Sequence, residues 1–525
     1  MFKKILAALL ASAMVISCLA ACNKAADETT EAEKTTEAAK EDETEADTEA
    51  EGEDETEAPA GDAVKITVFR CLYNRQAVND EQVKKVQDKV NELLADRGAK
   101  VEIEIHEIQQ AEYADKCNLA LANNEINLLW NASWWNTIGT DDIWRQNAAY
   151  DITELVKGTM LWDSMPEGIW QASTYDGKVL FVPVYKESYE GYDIRTRKAL
   201  MEECGWTEEE LANVHSMEAL EPYVEDAYNA GVKYPFDAYQ MNYRWLMDYY
   251  DFINDSSCFF AIDRKTNEPV VGFETPEYID LCKRFGKWYD NGWISDDFVT
   301  NNVPQGLTQT QDWAWEFWTC VPGDELANAE ERDQQEEYIV EGFTEMYVHS
   351  TTTLGSCYTI TNTNDEEHAK ACIEFLGYLY TDEEIADVYT FGIEGEDWEM
   401  VDGRVKQNPD SLYNHSAWES TSVMALTLID TEPEDKKEDY KAKNEAAGTS
   451  CAAGFRFDKS DVDLNAKYTA CKDINTEYAL ALETGGYGED AVEDMIKEYR
   501  AALDGAGFQD VWQAFADQYN AWKAE

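Results

Sequence analysis

Trp134 and Trp135 stand side by side among 17 Trp and 29 Tyr. Most indoles and phenols in a chain of this size pack into cores. Those left at a cleft have a specific chemistry. Their faces stack on the C–H face of a pyranose ring, while neighbouring Asp, Glu, Asn, Lys and Arg take its hydroxyls. A second aromatic group, Trp313, Trp315 and Trp318, alternates imperfectly along an apolar run, and Trp315 is the member expected to face a cleft.

Other chemistries leave no such trace. The chain has no HExxH, GxSxG or GxxxxGK[ST] segment. His106, His215, His349, His368 and His415 lie far apart, so no metal or cofactor is called for. Asp461-Val462-Asp463-Leu464-Asn465 opens like a calcium loop but lacks its Gly and has Lys472 at the Glu position. A glycosidase would need two carboxylates roughly 5–10 Å apart, which 107 Asp and Glu leave open. The ten cysteines from Cys71 to Cys471 contain no CxxC pair and are compatible with buried free thiols.

The elements that position these residues follow from periodicity. Val64–Arg70 alternates like a strand, 81–97 has helical apolar spacing and stops at Gly98, and Lys100–Glu107 alternates again. A helix over 111–123 leads to an apolar strand, Ile126–Trp130. This β-α-β-α-β order predicts a parallel sheet under helices, with ligands beyond the carboxyl ends of the strands. Trp134 and Trp135 follow the third strand; strand alternation would point only one of them into a cleft. Further on, helices are expected at 195–204, 208–211 and 217–230, a hairpin at 259–272, and a helix capped by Thr275-Pro276. Strands are expected at 313–321, 338–348 and 357–361, then two helices, the second opened by a Thr381–Glu384 capping box. The tail from Asp461 is helical, broken at Gly485-Gly486 and Gly505–Gly507.

Charge and the N-terminus bound where such a body works. With 43 Lys and Arg against 107 Asp and Glu, the net charge is −64, which excludes nucleic acid as a partner and disfavours anionic lipid headgroups. Lys3 and Lys4 precede an apolar stretch, Ile5–Ile16, of signal-peptide length. Leu19-Ala20-Ala21-Cys22 then forms a lipobox, so Cys22 is expected to be lipidated and to become the mature N-terminus. From Asn23 to Asp62 there are 17 Asp or Glu, 3 Lys and no large apolar residue, the composition of a disordered tether. The remainder is too long for one core and predicts two lobes.

Several segments resemble the extracellular solute-binding proteins of family 1, the sugar-capturing receptors of ABC importers. YDGKVLFVPVYKESYEGYDIRTRKALMEECGW (175–206) is similar to that family's passage from one lobe to the other. TLGSCYTITNTNDEEHAKACIEFLGYLYTDEEIADVYTFGIEGEDWE (353–399) is similar to its return passage and paired helices. FGIEGEDWE, GFRFD (454–458) and the tail ending FQDVWQAFADQYNAW resemble a subgroup of large Gram-positive lipoproteins with a distinctive C-terminal domain. Relatives usually carry Asp where this chain has Asn127.

The resemblance implies an α/β, two-lobed periplasmic-binding-protein-like fold of type II, with a hinge of two or three crossings and a helical C-terminal tail. It implies crossings near Tyr185–Tyr189, His349–Leu354 and within Asn408–Thr427. The first lobe would comprise 63–186 with 350–410, and the second 187–349 with 411–525. Ligand residues would be Trp134, Trp135, Tyr185, Lys186, Glu187, Tyr189, Trp315, Tyr358, Glu394 and Trp398, with Arg456 a weaker candidate. The implied activity is non-enzymatic: capture of an oligosaccharide for a membrane permease by a monomer attached to the membrane through lipid alone. A secreted glycoside hydrolase, or a receptor for peptides or another polar solute, are the alternatives.

Overall fold

The alternating run that begins at Val64 continues to Leu72 and pairs in parallel with Val101–Gln109 on one side and Leu128–Asn131 on the other. The helices between them, Asp80–Asp96 and Gln110–Asn123, turn Val83, Val86, Val90, Tyr113 and Cys117 onto the sheet. Cys357–Ile360 then joins antiparallel to the third strand, and Val182–Pro183 closes the sheet. This computed structural model describes residues 63–73, 79–135, 138–238, 242–253, 257–300, 312–322, 337–413 and 415–524. The expected signal peptide, Cys22 and the tether lie outside the described residues.

Two apolar cores divide the chain into two lobes. The first draws on 66–185 and 354–413, the second on 192–343 and 452–519. The second lobe's sheet orders Glu337–Val340, Tyr192–Arg197, Trp315–Thr319 and Phe236–Asp237, with antiparallel pairing except for the last strand. Arg195–Arg197, expected to start a helix, instead ends its second strand; the helix is Lys198–Cys204. The buried Arg195 sits between Glu316 at 2.8 Å and Glu337 at 3.3 Å on the flanking strands.

Among the described residues the chain crosses between the lobes three times, and the middle crossing pairs with the other two. Tyr347–Val348 runs antiparallel to Tyr189–Glu190 and parallel to Gly448–Thr449. Asn444, in the helix leading to the last strand, accepts from the Ser188 amide at 2.8 Å and donates to the Lys186 carbonyl at 3.0 Å. The third crossing falls later than expected. Tyr413 belongs to the first core, and Ala425 and Leu426 pack with Ala386, Phe391, Trp398 and Val405 in a small cluster, so the passage lies between Leu426 and Ala452.

The C-terminal helices Val462–Glu483, Val492–Gly505 and Phe508–Lys523 pack into the second core. Two glycines allow this docking. A Cβ on Gly286 would lie 2.6 Å from the Gly488 backbone, and one on Gly485 would lie 2.1 Å from the Phe285 carbonyl. Asp461 is the N-cap of the first of these helices, accepting from the Leu464 amide at 2.9 Å, which gives the calcium-like segment a structural role. Asp382, one residue after the expected Thr381, caps the helix Glu383–Phe391. The ten cysteines from Cys71 to Cys471 are free thiols.

Candidate functional site

Beyond the carboxyl ends of the first lobe's parallel strands lies an aromatic panel. Tyr73 follows the first strand; its ring centroid is 5.6 Å from Trp134, 6.3 Å from Trp135 and 5.3 Å from Trp418. Trp134 and Trp135 do not point opposite ways. Their strand ends at Asn131, and in the turn that follows the two indoles stack 5.6 Å apart at 8°. Ser133 Oγ donates to the Thr351 carbonyl at 2.6 Å and Trp134 Nε1 to the Gly355 carbonyl at 2.7 Å, which fixes this turn against the second crossing. Trp135 is braced by Tyr113 and Trp130, whereas Trp134 is 47% exposed.

Both indoles line a chamber of about 880 Å³ between the lobes, toward the upper end of the range for small-molecule sites. Its floor is the crossing sheet with Glu187, Tyr189, Glu190 and His349, and its far wall carries Tyr192, Tyr243, Arg244 and Tyr250. The Tyr189 hydroxyl is buried and has no hydrogen-bond partner among the described residues, a group suited to a ligand hydroxyl. Glu190 accepts from the Tyr192 hydroxyl at 2.6 Å and lies 3.2 Å from Arg244. Burial pushes the Glu190 carboxyl up, but Arg244 and His349 hold it below the usual range. Burial keeps His349 below the ordinary histidine value. A second chamber of about 510 Å³ shares Glu187 and Thr319 with the first and is lined by Trp318, Trp418, Lys436 and Tyr440.

Of the expected ligand residues, the larger chamber brings together Trp134, Trp135, Glu187 and Tyr189. Lys186 is buried and ion-paired with Glu187. Tyr185 is buried in the first core, where its carbonyl accepts from the Val423 amide at 2.9 Å. Three others are packed away from both chambers. Trp315 is buried against Trp206, with ring centroids 5.2 Å apart, because its strand is central to the second lobe's sheet. Tyr358 is buried and donates to the Ser420 carbonyl at 2.7 Å. Trp398 is buried in the small cluster and donates to the Gly392 carbonyl at 3.0 Å. Glu394 is exposed on a turn that lines neither chamber.

Trp313 is buried in the second core, and its carbonyl accepts from Arg197. Arg456 projects from the C-terminal part of the second core onto Asp141 and Tyr175 of the first lobe. Asn127 is a strand anchor. Its Oδ1 accepts from the Thr67 amide at 2.8 Å and its Nδ2 donates to Asn364 at 2.8 Å.

Sequence reasoning missed Tyr73 and Trp418, and also Tyr192, Tyr243, Arg244 and His349. The strand-end rule that selects Trp134 applies equally to Tyr73, one residue past Leu72. The others come from distant segments that only the completed topology unites.

A profile described as "Domain of unknown function (DUF3502)" matches residues 451–524. A carbohydrate ABC transporter substrate-binding protein of Streptococcus pneumoniae is 23% identical over 387 residues, 71% of this chain and 76% of that protein. The crystal structure of the N-glycan transport solute binding protein NgtS from S. pneumoniae superposes with a TM-score of 0.72 at 19% identity, covering 88% of this chain and 99% of that one. The same protein in complex with Man5GlcNAc gives 0.63 at 19% identity, with 88% and 98% covered. The chain therefore has the two-lobed fold of the solute-binding proteins, the resemblance its sequence displayed, and carries a DUF3502 domain at its C-terminal end.

Proposed function

We propose that this protein is the extracellular substrate-binding receptor of an ABC importer, that it captures an oligosaccharide between its lobes, and that it delivers the sugar to a membrane permease. The observation that carries this reading is the stacked Trp134–Trp135 pair on an interlobe chamber of about 880 Å³. The indoles offer an apolar platform, and Glu187, Tyr189, Glu190 and Arg244 ring it with hydrogen-bonding groups. Ligand touching both lobes would shift the population toward the closed form. The names of the S. pneumoniae relatives support the same reading.

The lobes are 63–186 with 350 to about 426, and 187–349 with the remainder, a division supported by the two cores. The protein acts as a monomer, held at the outer face of the membrane by lipid on Cys22. Ligand contacts are Trp134, Trp135, Glu187 and Tyr189. A hydrolytic role is disfavoured by the carboxylates that line the chamber, since each sits beside a cation. Asp142 is 2.5 Å from Arg145, Asp141 3.6 Å from Arg456, Glu190 3.2 Å from Arg244, and Glu187 is paired with Lys186. Despite its burial, Glu190 is held below the usual carboxylate range by Arg244 and His349, whereas a general acid needs a raised pKa.

Thermal melting of the full chain with Man1GlcNAc, Man5GlcNAc, kestose, maltopentaose and a tetrapeptide tests the reading. A sugar at 100 times its dissociation constant adds roughly 2.7 kcal/mol of stability, an easily read shift. Stabilisation by the peptide alone, or release of shorter sugars, would overturn it. Loss of lipid labelling in Cys22→Ser tests the anchor.

A further inference from the structure

The C-terminal domain does more than pack against the second lobe. Its first helix, Val462–Glu483, turns Asn465, Tyr468, Thr469 and Lys472 toward the larger chamber. The spacing i, i+3, i+4, i+7 puts these four on one face, and Lys459, just before the helix, lines the same wall. Lys459 Nζ sits 4.1 Å from the Tyr468 ring centroid. This wall carries two lysines and no acid, although the whole chain has 107 Asp and Glu against 43 Lys and Arg.

A second observation ties the wall to the opposite lobe. Arg456 leaves the same domain, lies 4.2 Å over the Tyr175 ring and approaches Asp141 at 3.6 Å. Its guanidinium is buried, with Nε facing Asp141 and Nη1 donating to the Phe455 carbonyl at 2.8 Å. Asp141 itself lines the chamber. The domain thus bridges the rim, anchored in one lobe through Gly286 and Gly485 and reaching the other through Arg456.

We infer that the DUF3502 domain is a ligand-binding wall: Asn465, Thr469 and Lys472 hydrogen-bond the hydroxyls of the oligosaccharide units that lie beyond the Trp134–Trp135 platform. Amide, hydroxyl and ammonium groups supply both donors and acceptors, which is what a hydroxyl-rich ligand requires. The indoles hold one part of the sugar by its apolar face, and the domain reads the rest. This rests on the receptor reading and extends it to a domain described as of unknown function.

The test uses the full chain, its Asn465→Ala/Lys472→Ala variant and an Asp463→Asn variant. Asp463 is exposed on the same helix and does not line the chamber. The panel is Man1GlcNAc, Man5GlcNAc, kestose and maltopentaose, with affinities from titration calorimetry and folding checked by melting temperature. Losing two hydrogen-bonding side chains raises the dissociation constant of the best ligand about tenfold. Asp463→Asn leaves it within about twofold. Unchanged affinity in the double variant overturns the inference while the receptor reading stands. If no panel member binds the unaltered chain, the receptor reading fails and the inference fails with it. If the double variant is misfolded by its melting temperature, Lys472→Gln alone, which keeps the stem, carries the same comparison.

Discussion

The Arg456 guanidinium lies 4.2 Å over the ring of Tyr175, and the two residues belong to different lobes. Arg456 is set between Phe455 and Phe457 of the second core, whereas Tyr175 is buried in the first and donates to Thr140 at 3.0 Å. With Asp141 alongside, this is a contact across the cleft that needs no ligand.

Removing it should release the ligand-free lobes. A partly desolvated cation–π contact contributes about 1–2 kcal/mol, enough to change an open–closed ratio about five- to thirtyfold. Arg456→Ala should widen the ligand-free distance distribution between spin labels placed on the two lobes. Distances identical to those of the unaltered chain would show that the contact does not govern closure.

Trp134 and Trp135 should separate binding from folding. Trp134 is half exposed, so Trp134→Ala, which loses one hydrogen bond to the Gly355 carbonyl, should lower melting only slightly while weakening sugar binding by about 2 kcal/mol. Trp135 also packs on Tyr113 and Trp130, so Trp135→Ala should lower both affinity and melting temperature. Titration of intrinsic fluorescence beside thermal melting reads the two effects.

The buried cluster of Arg70, Glu107 and His415 predicts a pH dependence. Burial raises the Glu107 carboxyl, but His415 at 2.8 Å and Arg70 together hold it at about 2. Because this lies below its unfolded value, the stabilisation is present above about 4.5 and is lost as pH falls toward about 2. Burial and Arg70 lower His415, yet Glu107 and the hydrogen bonds to Glu107 and Glu419 leave it raised. Its contribution is therefore full below the unfolded histidine value and is lost as pH rises through the folded one. Glu107→Gln should flatten the acid side of a melting-temperature profile; an unchanged acid slope would exclude this cluster as its source.

Gly286→Ala should loosen the C-terminal helices, since its Cβ would lie 2.6 Å from the Gly488 backbone. Overpacking of this kind costs about 1–3 kcal/mol. Limited proteolysis should then cut the variant near the Gly485–Gly488 turn faster than the unaltered chain.

Much of the fold is legible in the sequence because its signals are local. Alternation in Val64–Leu72 and Val101–Gln109, the apolar face of Asp80–Asp96 and the Thr275 cap with Pro276 each depend on a few neighbouring residues. Tyr192–Arg197 escapes this reading because a central strand there carries Asp193, Arg195, Thr196 and Arg197: Arg195 is paired with acids on adjacent strands, Asp193 accepts from the Gly342 amide and Arg197 donates to the Trp313 carbonyl. The candidate site is less legible for a related reason. Trp315, Tyr358 and Trp398 have the right side chains for sugar, but sheet position and neighbours, not type, bury them. Strand order places Trp134 and Trp135 at the chamber, but alternation does not set their orientation because the strand ends at Asn131.

The crossing sheet has a mechanical consequence. A single connecting segment would let the lobes twist, slide and swing independently. Three segments hydrogen-bonded side by side form a ribbon that flexes across its face but resists torsion and shear. Lobe motion is thereby reduced to nearly one rotational coordinate. Every chamber distance then becomes a function of a single angle, so any ligand long enough to touch both walls measures that angle directly.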